Sequence, residues 1–320
     1  MKQVNSLKPT FVALVGPTGS GKTKTAIRLC EALNAEIVSM DSMQIYRGMD
    51  IGTAKPTAKE LASAVHHMID IVDPDCLYTV SMYREQAGAV IDDILSRGKL
   101  PILAGGTGLY LQAMSYEMNL GENGANDQLR EELNRIAAQP DGPQKLHERL
   151  KAVDPASAQK LHPNDIRRVI RAIEIYETSG KTKEEKAAEE KIEGPYRVLV
   201  YGLSLPRDRM YARIDQRVDE MVRLGLVDEV QQLLDRGIEP RKEGGAMQAI
   251  GYKEIVSALR GEISMEQAVA LIKQGSRRYA KRQWTWFRHD SRTKWYDWTD
   301  YATEDELIEI LINQIKTDIT

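Results

Sequence analysis

Short unbroken apolar runs alternate with segments of helical rhythm along the first third of the chain. TFVALVG (Thr10–Gly16) has the pattern of a buried strand ended by a glycine-rich turn. Ala26, Leu29, Cys30 and Leu33 then recur at helical spacing, and AEIVSMD (Ala35–Asp41) returns to the strand pattern. LPILAGGTGLYLQAM (Leu100–Met114) repeats the order of strand, glycine turn and helix. YRVLVYGLSL (Tyr196–Leu205) is a further strand. Strands alternating with helices require right-handed crossovers, so the expected class is α/β, a doubly wound parallel sheet.

The pattern breaks between Ser115 and Gly194. Helical runs are expected at Asp127–Ala138, Pro143–Val153 and Asn164–Ser179, the last stopped by Gly180. The charged run Lys181–Lys191 reads as a solvated helix or linker. The expected organisation is a core formed by 1–114 and 195–320, interrupted by an all-helical insertion at 115–194. Asp208–Arg288 also reads as mostly helical, which adds a helical C-terminal region to the core. At 320 residues the chain is long enough for such a two-part plan. Its net charge of −3 says nothing about nucleic acid, because a local basic face can coexist with it. Cys30 and Cys76 lack CxxC spacing and suit a reducing cytoplasm. No apolar run approaches a membrane span, and the start, MKQVNSLKPT, has no apolar signal core.

Candidate chemistry begins at GPTGSGKT: Gly16, Pro17, Thr18, Gly19, Ser20, Gly21, Lys22 and Thr23. The pattern GxxxxGKT between a strand and a helix is a P-loop, which makes the core P-loop NTPase-like. Its glycines let successive N–H groups converge on phosphate oxygens, and the following helix adds its positive end. Lys22 brings a charge, and Thr23 offers a hydroxyl to Mg²⁺. An acid is expected at another strand end, yet PILAGGTG ends in glycines and Thr107. The acid stands instead at Asp41, where adjacent parallel strands open into one crevice. There a carboxylate can act as a general base, hold Mg²⁺, or merely cap a short helix. Gln44 has the right groups for an adenine edge but can equally be surface.

Basic faces lie elsewhere. In SRRYAKRQWTWFRHDSRTKW (Ser276–Trp295), Arg277, Lys281, Trp284 and Arg288 share one stripe, and Arg278, Arg282 and His289 the next. The face suits RNA, or is a solvated side with Trp286 and Phe287 in the core. Arg167, Arg168 and Arg171 lie off an apolar stripe near a helix start, where an anion would offset the dipole. Arg213 and Arg217 can clamp a pyrophosphate or pair with Asp215 and Asp219. His66 and His67 are adjacent and do not share a helix face, which argues against metal ligation.

Taken in order, GPTGSGKT, DSMQIY (41–46), HHMIDIVDP (66–74), GGTGLYLQA (105–113), HPNDIRRVIRAIE (162–174), GAMQAIGYKE (245–254) and RRYAKRQWTWFR (277–288) resemble the tRNA dimethylallyltransferases, also called tRNA isopentenyltransferases. The resemblance implies transfer of a dimethylallyl group from dimethylallyl diphosphate to N6 of adenosine 37, beside the tRNA anticodon, with Mg²⁺. It implies that the loop holds a diphosphate leaving group with help from Arg217 and Arg213. It makes Asp41 the base, assigns Thr107 a part in catalysis and has the insertion grip the anticodon stem-loop. Ser42, Met43, Gln44, Thr107, Arg130, Arg167, Arg168, Arg171, Gln248, Arg277, Lys281 and Arg282 are then expected to face tRNA along with Asp41. A cytoplasmic monomer is expected, since nothing resembles a dimer seam. The residues by themselves leave a small-molecule or nucleotide kinase, or a non-catalytic RNA-binding protein, as alternatives.

Overall fold

The computed structural model describes residues 8–118, 127–189, 192–241 and 245–320. The first seven residues of the chain and the last two of the run Lys181–Lys191 lie outside them. Six parallel strands form one sheet in the order β3-β2-β4-β1-β5-β6: β1 (Thr10–Val15), β2 (Ala35–Met40), β3 (His66–His67), β4 (Leu100–Gly105), β5 (Arg197–Ser204) and β6 (Lys294–Asp297). The doubly wound α/β class is as the alternation predicts. Two strands were not anticipated. β3 has only two residues, both histidine, and β6 (KWYD) is a half-buried edge strand with no apolar run to announce it.

Alternate residues of the central strands feed opposite layers, as strand geometry requires. Phe11, Ala13, Val15, Val38, Met40, Leu103 and Val200 pack with Tyr83, Ile91, Tyr110 and Phe287 on one face. Val12, Leu14, Ile37, Ile102, Tyr201 and Leu203 pack with Leu29, Leu307, Leu311 and Ile315 on the other. Helices Val80–Ser96 and Gly108–Ser115, with the end of Met265–Arg288, therefore cover the first face. Helices Lys22–Leu33 and Glu304–Ile319 cover the second. Both faces being buried explains why the central strands read as apolar runs with no polar alternation.

Register places the site. Val15 pairs with Gly105, and Gly105 with Met40, so the loops after β1, β4 and β2 leave the sheet at one level. A side chain at Gly105 would come within 2.2 Å of the Met40 carbonyl oxygen, so the two strand ends meet closely only because that position has none. A further cluster, built on Val218, Val230, Leu233, Tyr252, Ile255 and Ile272 of the C-terminal helices, also takes in Ile45, Tyr46 and Met49 from the segment after β2.

The chain divides into two compact units, Met1–Ser115 with Pro195–Thr320, and Tyr116–Gly194. The second has its own core of Leu133, Leu146, Leu150, Val169, Ile170 and Ile173 from helices Asp127–Ala137, Gly142–Val153 and Ile166–Ser179. Gly180, at φ +69°, ends the last of these helices in the left-handed conformation that glycine adopts without strain. A short helix, Pro155–Lys160, was not foreseen. Asp154 starts it by accepting the Ser157 N–H at 2.9 Å, and Pro155 occupies the first turn.

Glu36, on β2, is 2 % exposed and gathers two cations and a histidine: Arg97 through two bonds (2.5 and 2.7 Å), Lys99 (2.7 Å) and His67 (2.8 Å). The bonds from Arg97 hold its carboxyl well below the usual carboxylate range against the opposing effect of burial, with Lys99 and His67 adding to them. His67 Nε2 is thereby engaged with Glu36, and His66 Nδ1 lies 2.8 Å from the Ala64 carbonyl oxygen. A folded-state pKa below the unfolded value of about 4.3 stabilises the fold above that pH and ceases to do so as acid protonates the folded carboxylate. Glu36→Gln should therefore lower stability by about 2 kcal/mol at neutral pH, since the partners keep some contact with water. In urea titrations the gap to wild type should stay full down to about pH 4.3 and close in stronger acid.

Candidate functional site

The phosphate loop is built as its sequence requires. Gly21 takes φ +89°, a conformation costly for other residues, and the helix Lys22–Leu33 starts directly after it. The Trp298 ring lies 3.1 Å from where a Cβ on Gly21 would stand, and its Nε1 donates to the Ser20 carbonyl at 2.7 Å. Lys22 Nζ donates to the carbonyls of Gly16 (2.9 Å) and Pro17 (2.8 Å). Burial, reinforced by the Arg217 charge and opposed by that of Asp41, brings the Lys22 ammonium down to about 7. A buried cation so strained in its charged form is stabilised by any anion placed beside it.

Arg217 reaches the same place from the helix Arg207–Arg223. Its Nη1 donates to Thr18 Oγ1 at 3.1 Å and its Nη2 to the Ala54 carbonyl at 3.5 Å. Burial lowers its pKa, while Asp41 and Glu60 oppose the shift. The sequence left open whether Asp215 and Asp219 neutralise Arg213 and Arg217. They do not: Asp215 pairs with Arg277 at 2.5 Å and Asp219 with Lys273 at 2.6 Å, both on the helix Met265–Arg288. Arg213 and Arg217 instead line a cavity of about 360 Å³ with Gly19, Lys22 and Thr23.

Asp41 lines that cavity as well. No helix follows it. Its Oδ1 accepts the N–H groups of Met43 (2.8 Å) and Gln44 (3.4 Å), which closes a tight turn, and Oδ2 makes no hydrogen bond among the described residues. The cap-like role and a chemical role therefore use different oxygens of one carboxylate. The Ser42 N–H donates to Thr107 Oγ1 at 3.2 Å, and the Thr107 N–H to the Met40 carbonyl at 3.1 Å, so Thr107 stands beside Asp41. Gln44 also lines the cavity, but its amide is engaged within the chain: Nε2 donates to the carbonyls of Ala54 (3.1 Å) and Thr53 (3.4 Å), and Oε1 accepts from Ser39 (3.1 Å). Its geometry is that of a loop brace. Met43 packs into the C-terminal helical cluster.

Several residues of the cavity escaped the sequence reading. Tyr279 and Gln283 line it from the helix Met265–Arg288. Burial, with the Asp41 charge, pushes the Tyr279 phenol up to about 12, while Thr107 and Gln283 partly offset this. Both stand four residues apart inside the run RRYAKRQ, and that spacing, read for its uncharged members, was the available signal. Glu229 accepts the N–H groups of Asp50 (2.8 Å), Ile51 (2.7 Å) and Gly52 (3.1 Å) and so fixes the segment that presents the Thr53 and Ala54 carbonyls. Nothing local marks Glu229, because it acts on residues far away in the chain.

The other residues expected to meet RNA are not all exposed cations. Arg277 is turned to Asp215, which removes it from the basic face, whereas Arg278, Lys281, Arg282 and Arg288 are exposed. Trp284 packs on Trp295 with ring centroids 4.5 Å apart. Phe287 is fully buried, but Trp286 is 48 % exposed, its indole filling the space beside Gly108. In the insertion, Arg130 makes two bonds to buried Glu174 (2.6 and 2.9 Å). Arg171 approaches Glu174 at 3.4 Å, Arg168 pairs with Asp165 at 3.2 Å, and Arg167, Arg168 and Arg171 are all exposed. Gln248 Nε2 donates to the Arg241 carbonyl at 2.8 Å. Among the described residues no cluster of three or more His, Cys, Asp or Glu side chains could hold a metal ion, and no helix is long and apolar enough to cross a membrane.

This arrangement can hold a polyanion against two half-buried cations and present a carboxylate oxygen to whatever lies across from it. Comparison with known proteins narrows what that is. Residues 44–290 match the family model described as IPP transferase, and residues 9–72 the model described as isopentenyl transferase. The chain is 46 % identical over 309 residues to the tRNA dimethylallyltransferase of Oceanobacillus iheyensis, covering 97 % of each chain. It is 47 % identical over 296 residues to that of Bacillus subtilis, covering 92 % of this chain and 93 % of the other. The crystal structure of the tRNA isopentenylpyrophosphate transferase of Bacillus halodurans superposes with a TM-score of 0.73 at 45 % identity, over 97 % and 96 % of the two chains. A eukaryotic dimethylallyltransferase acting on tRNA superposes with a TM-score of 0.81 at 30 % identity, over 97 % of this chain and 80 % of that one. With the P-loop, the strand-end aspartate and the glycine turn in one cavity and the match running nearly end to end, the chain belongs to the IPP transferase family.

Proposed function

We propose that this chain transfers the dimethylallyl group of dimethylallyl diphosphate to N6 of adenosine 37 in the tRNA anticodon loop, releasing diphosphate. The observation that carries the reading is the unpaired Oδ2 of Asp41 in the same cavity as Lys22 and Arg217. An exocyclic adenine amine is a weak nucleophile, so its proton must leave as or after nitrogen attacks the allylic carbon. Asp41 accepts that proton. Lys22, Arg217, Arg213 and the loop N–H groups stabilise the charge that collects on the departing diphosphate. Thr107, beside Asp41, orients the base.

Mg²⁺ suits this site in a limited way. Thr23 lines the cavity, and its hydroxyl would be the chain's ligand for the ion, whose other oxygens would come mostly from the diphosphate. When bound, the ion neutralises diphosphate charge as a Lewis acid. The exposed arginines 167, 168 and 171 of the insertion, and Arg278, Lys281 and Arg282 of the core, offer phosphate-binding charge to the RNA. An anticodon loop releases a base from its stack more cheaply than a duplex does. The reading places the enzyme in the cytoplasm as a monomer.

The direct test is mass analysis of tRNA after incubation with the chain, dimethylallyl diphosphate and Mg²⁺. One dimethylallyl group should be gained at adenosine 37, and the gain should fail when the metal is chelated. Unmodified RNA together with hydrolysis of added ATP would favour a kinase instead. Asp41→Asn keeps the turn-closing oxygen, and should cut turnover about 10²–10⁴-fold with RNA affinity within about threefold of wild type in a binding titration. Turnover near the wild-type rate would remove Asp41 as the base.

Lys22 gives a prediction that does not depend on turnover. With its pKa near 7 it is largely neutral at pH 8, and an anion beside it restores the charged form. On binding inorganic pyrophosphate at pH 8, wild type should take up close to one proton per site more than Lys22→Met, a difference from which the anion's own ionisation cancels, and the excess should be clearly smaller at pH 6, where Lys22 is already charged. Calorimetry of both chains in buffers of different ionisation enthalpy measures this difference.

A further inference from the structure

Gln283 is 5 % exposed, and both ends of its amide are held by backbone. Its Oε1 accepts the N–H of Thr18 at 2.9 Å, and its Nε2 donates to the carbonyl of Gly106 at 3.1 Å. One partner belongs to the phosphate loop after β1, the other to the glycine turn after β4. The two loops carry opposite halves of the site. Thr18 also receives Arg217 through its hydroxyl at 3.1 Å, on the side of the cations. Gly106 precedes Thr107, whose hydroxyl receives the Ser42 N–H beside Asp41. The fit is close, because a Cβ at Gly106 would fall 1.9 Å from Nε2.

We propose that Gln283 is a positioning residue for group transfer, a planar bridge of fixed length that sets the distance between the phosphate loop and the turn carrying Thr107. The proposal rests on the prenyl-transfer reading above. The bridge withholds the Thr18 N–H from the anion and gives it a structural partner. Both ends of its amide are taken by backbone, so it acts through its two loops. A buried amide bonded at both ends has little rotamer freedom, and removing it leaves a backbone donor and a backbone acceptor unsatisfied. The loops then relax relative to each other, and a displacement of about 1 Å is enough to slow an in-line reaction about a hundredfold.

Gln283→Met fills a similar volume without either bond. It should lower the single-turnover transfer rate at saturating dimethylallyl diphosphate and anticodon stem-loop RNA by about 10–100-fold, with the KM of each substrate within about threefold of wild type. Gly106→Ala is the second variant, since its methyl displaces the Gln283 amide without altering that residue; it should produce a loss of the same order. Thermal melting of both variants, read by circular dichroism, should remain a single cooperative transition. The assignment predicts coupling as well: Gln283→Met should cost much less in a Thr107→Ala background than alone. Rates for both variants within twofold of wild type would overturn the assignment. So would a loss confined to the KM for RNA, which marks a direct RNA contact, or full independence from Thr107→Ala. A wild-type chain that transfers no prenyl group to the stem-loop would overturn the functional reading, and this assignment with it.

Discussion

Two cations enclosed in one cavity set the terms for everything around them. Lys22 and Arg217 are drawn partly out of water without a full complement of opposite charge, and Asp41 offsets only part of what burial and mutual repulsion impose. Such a site is unfavourable by itself and favourable around a polyanion, which makes it a binding device by construction. The fold tolerates it because the loop is braced from outside. Trp298 holds the Ser20 carbonyl, Gln283 holds the Thr18 N–H, and the carbonyls of Gly16 and Pro17 receive the lysine itself.

The long helix Met265–Arg288 has two jobs that its basic composition conceals. Its inner side supplies Lys273 and Arg277, which neutralise Asp219 and Asp215 and so leave the arginines of the neighbouring helix to the cavity. Further along, it packs onto the glycine turn, with Gln283 in the space beside Gly106 and Trp286 in the space beside Gly108. The glycines of GGTG thus serve close approach: to the Met40 backbone at Gly105 and to this helix at Gly106 and Gly108. A turn that a nucleotide-binding motif would fill with an acid is here a seat for a helix, and the acid stands one strand over at Asp41.

A six-stranded parallel sheet aligns three loops because its strand ends are level, and chemistry follows from that alignment. The diphosphate side comes from β1, the acid from β2 and the Thr107 turn from β4, so no one loop carries the reaction. The separation between them is a tertiary quantity, maintained by side chains that come from remote parts of the chain, Gln283 and Glu229 among them.

Much of this was legible in the sequence, and the reason is local. The strand–glycine–helix rhythm fixes β1, β2, β4 and β5, because a strand buried on both faces must be an apolar run. GPTGSGKT specifies its own backbone, since Gly21 needs a conformation other residues avoid and Lys22 must follow a tight turn. Asp41 became a candidate because strand ends in a parallel sheet face one crevice, whereas Thr107 acquired its role only through the family resemblance. What the sequence could not decide was pairing. Arg213 and Arg217 stand one turn apart among aspartates, and only the packing of a helix some sixty residues away shows those aspartates engaged elsewhere. Arg130 and Arg277, expected to face RNA, are also ion-paired within the chain, and Gln283, not among the expected site residues, bridges two loops. β3 and β6 escaped notice because an edge strand is stabilised by its neighbour's hydrogen bonds more than by its own apolar pattern. Periodicity records what each segment buries; which charges cancel and which loops touch are properties of residues that meet only once the chain has folded.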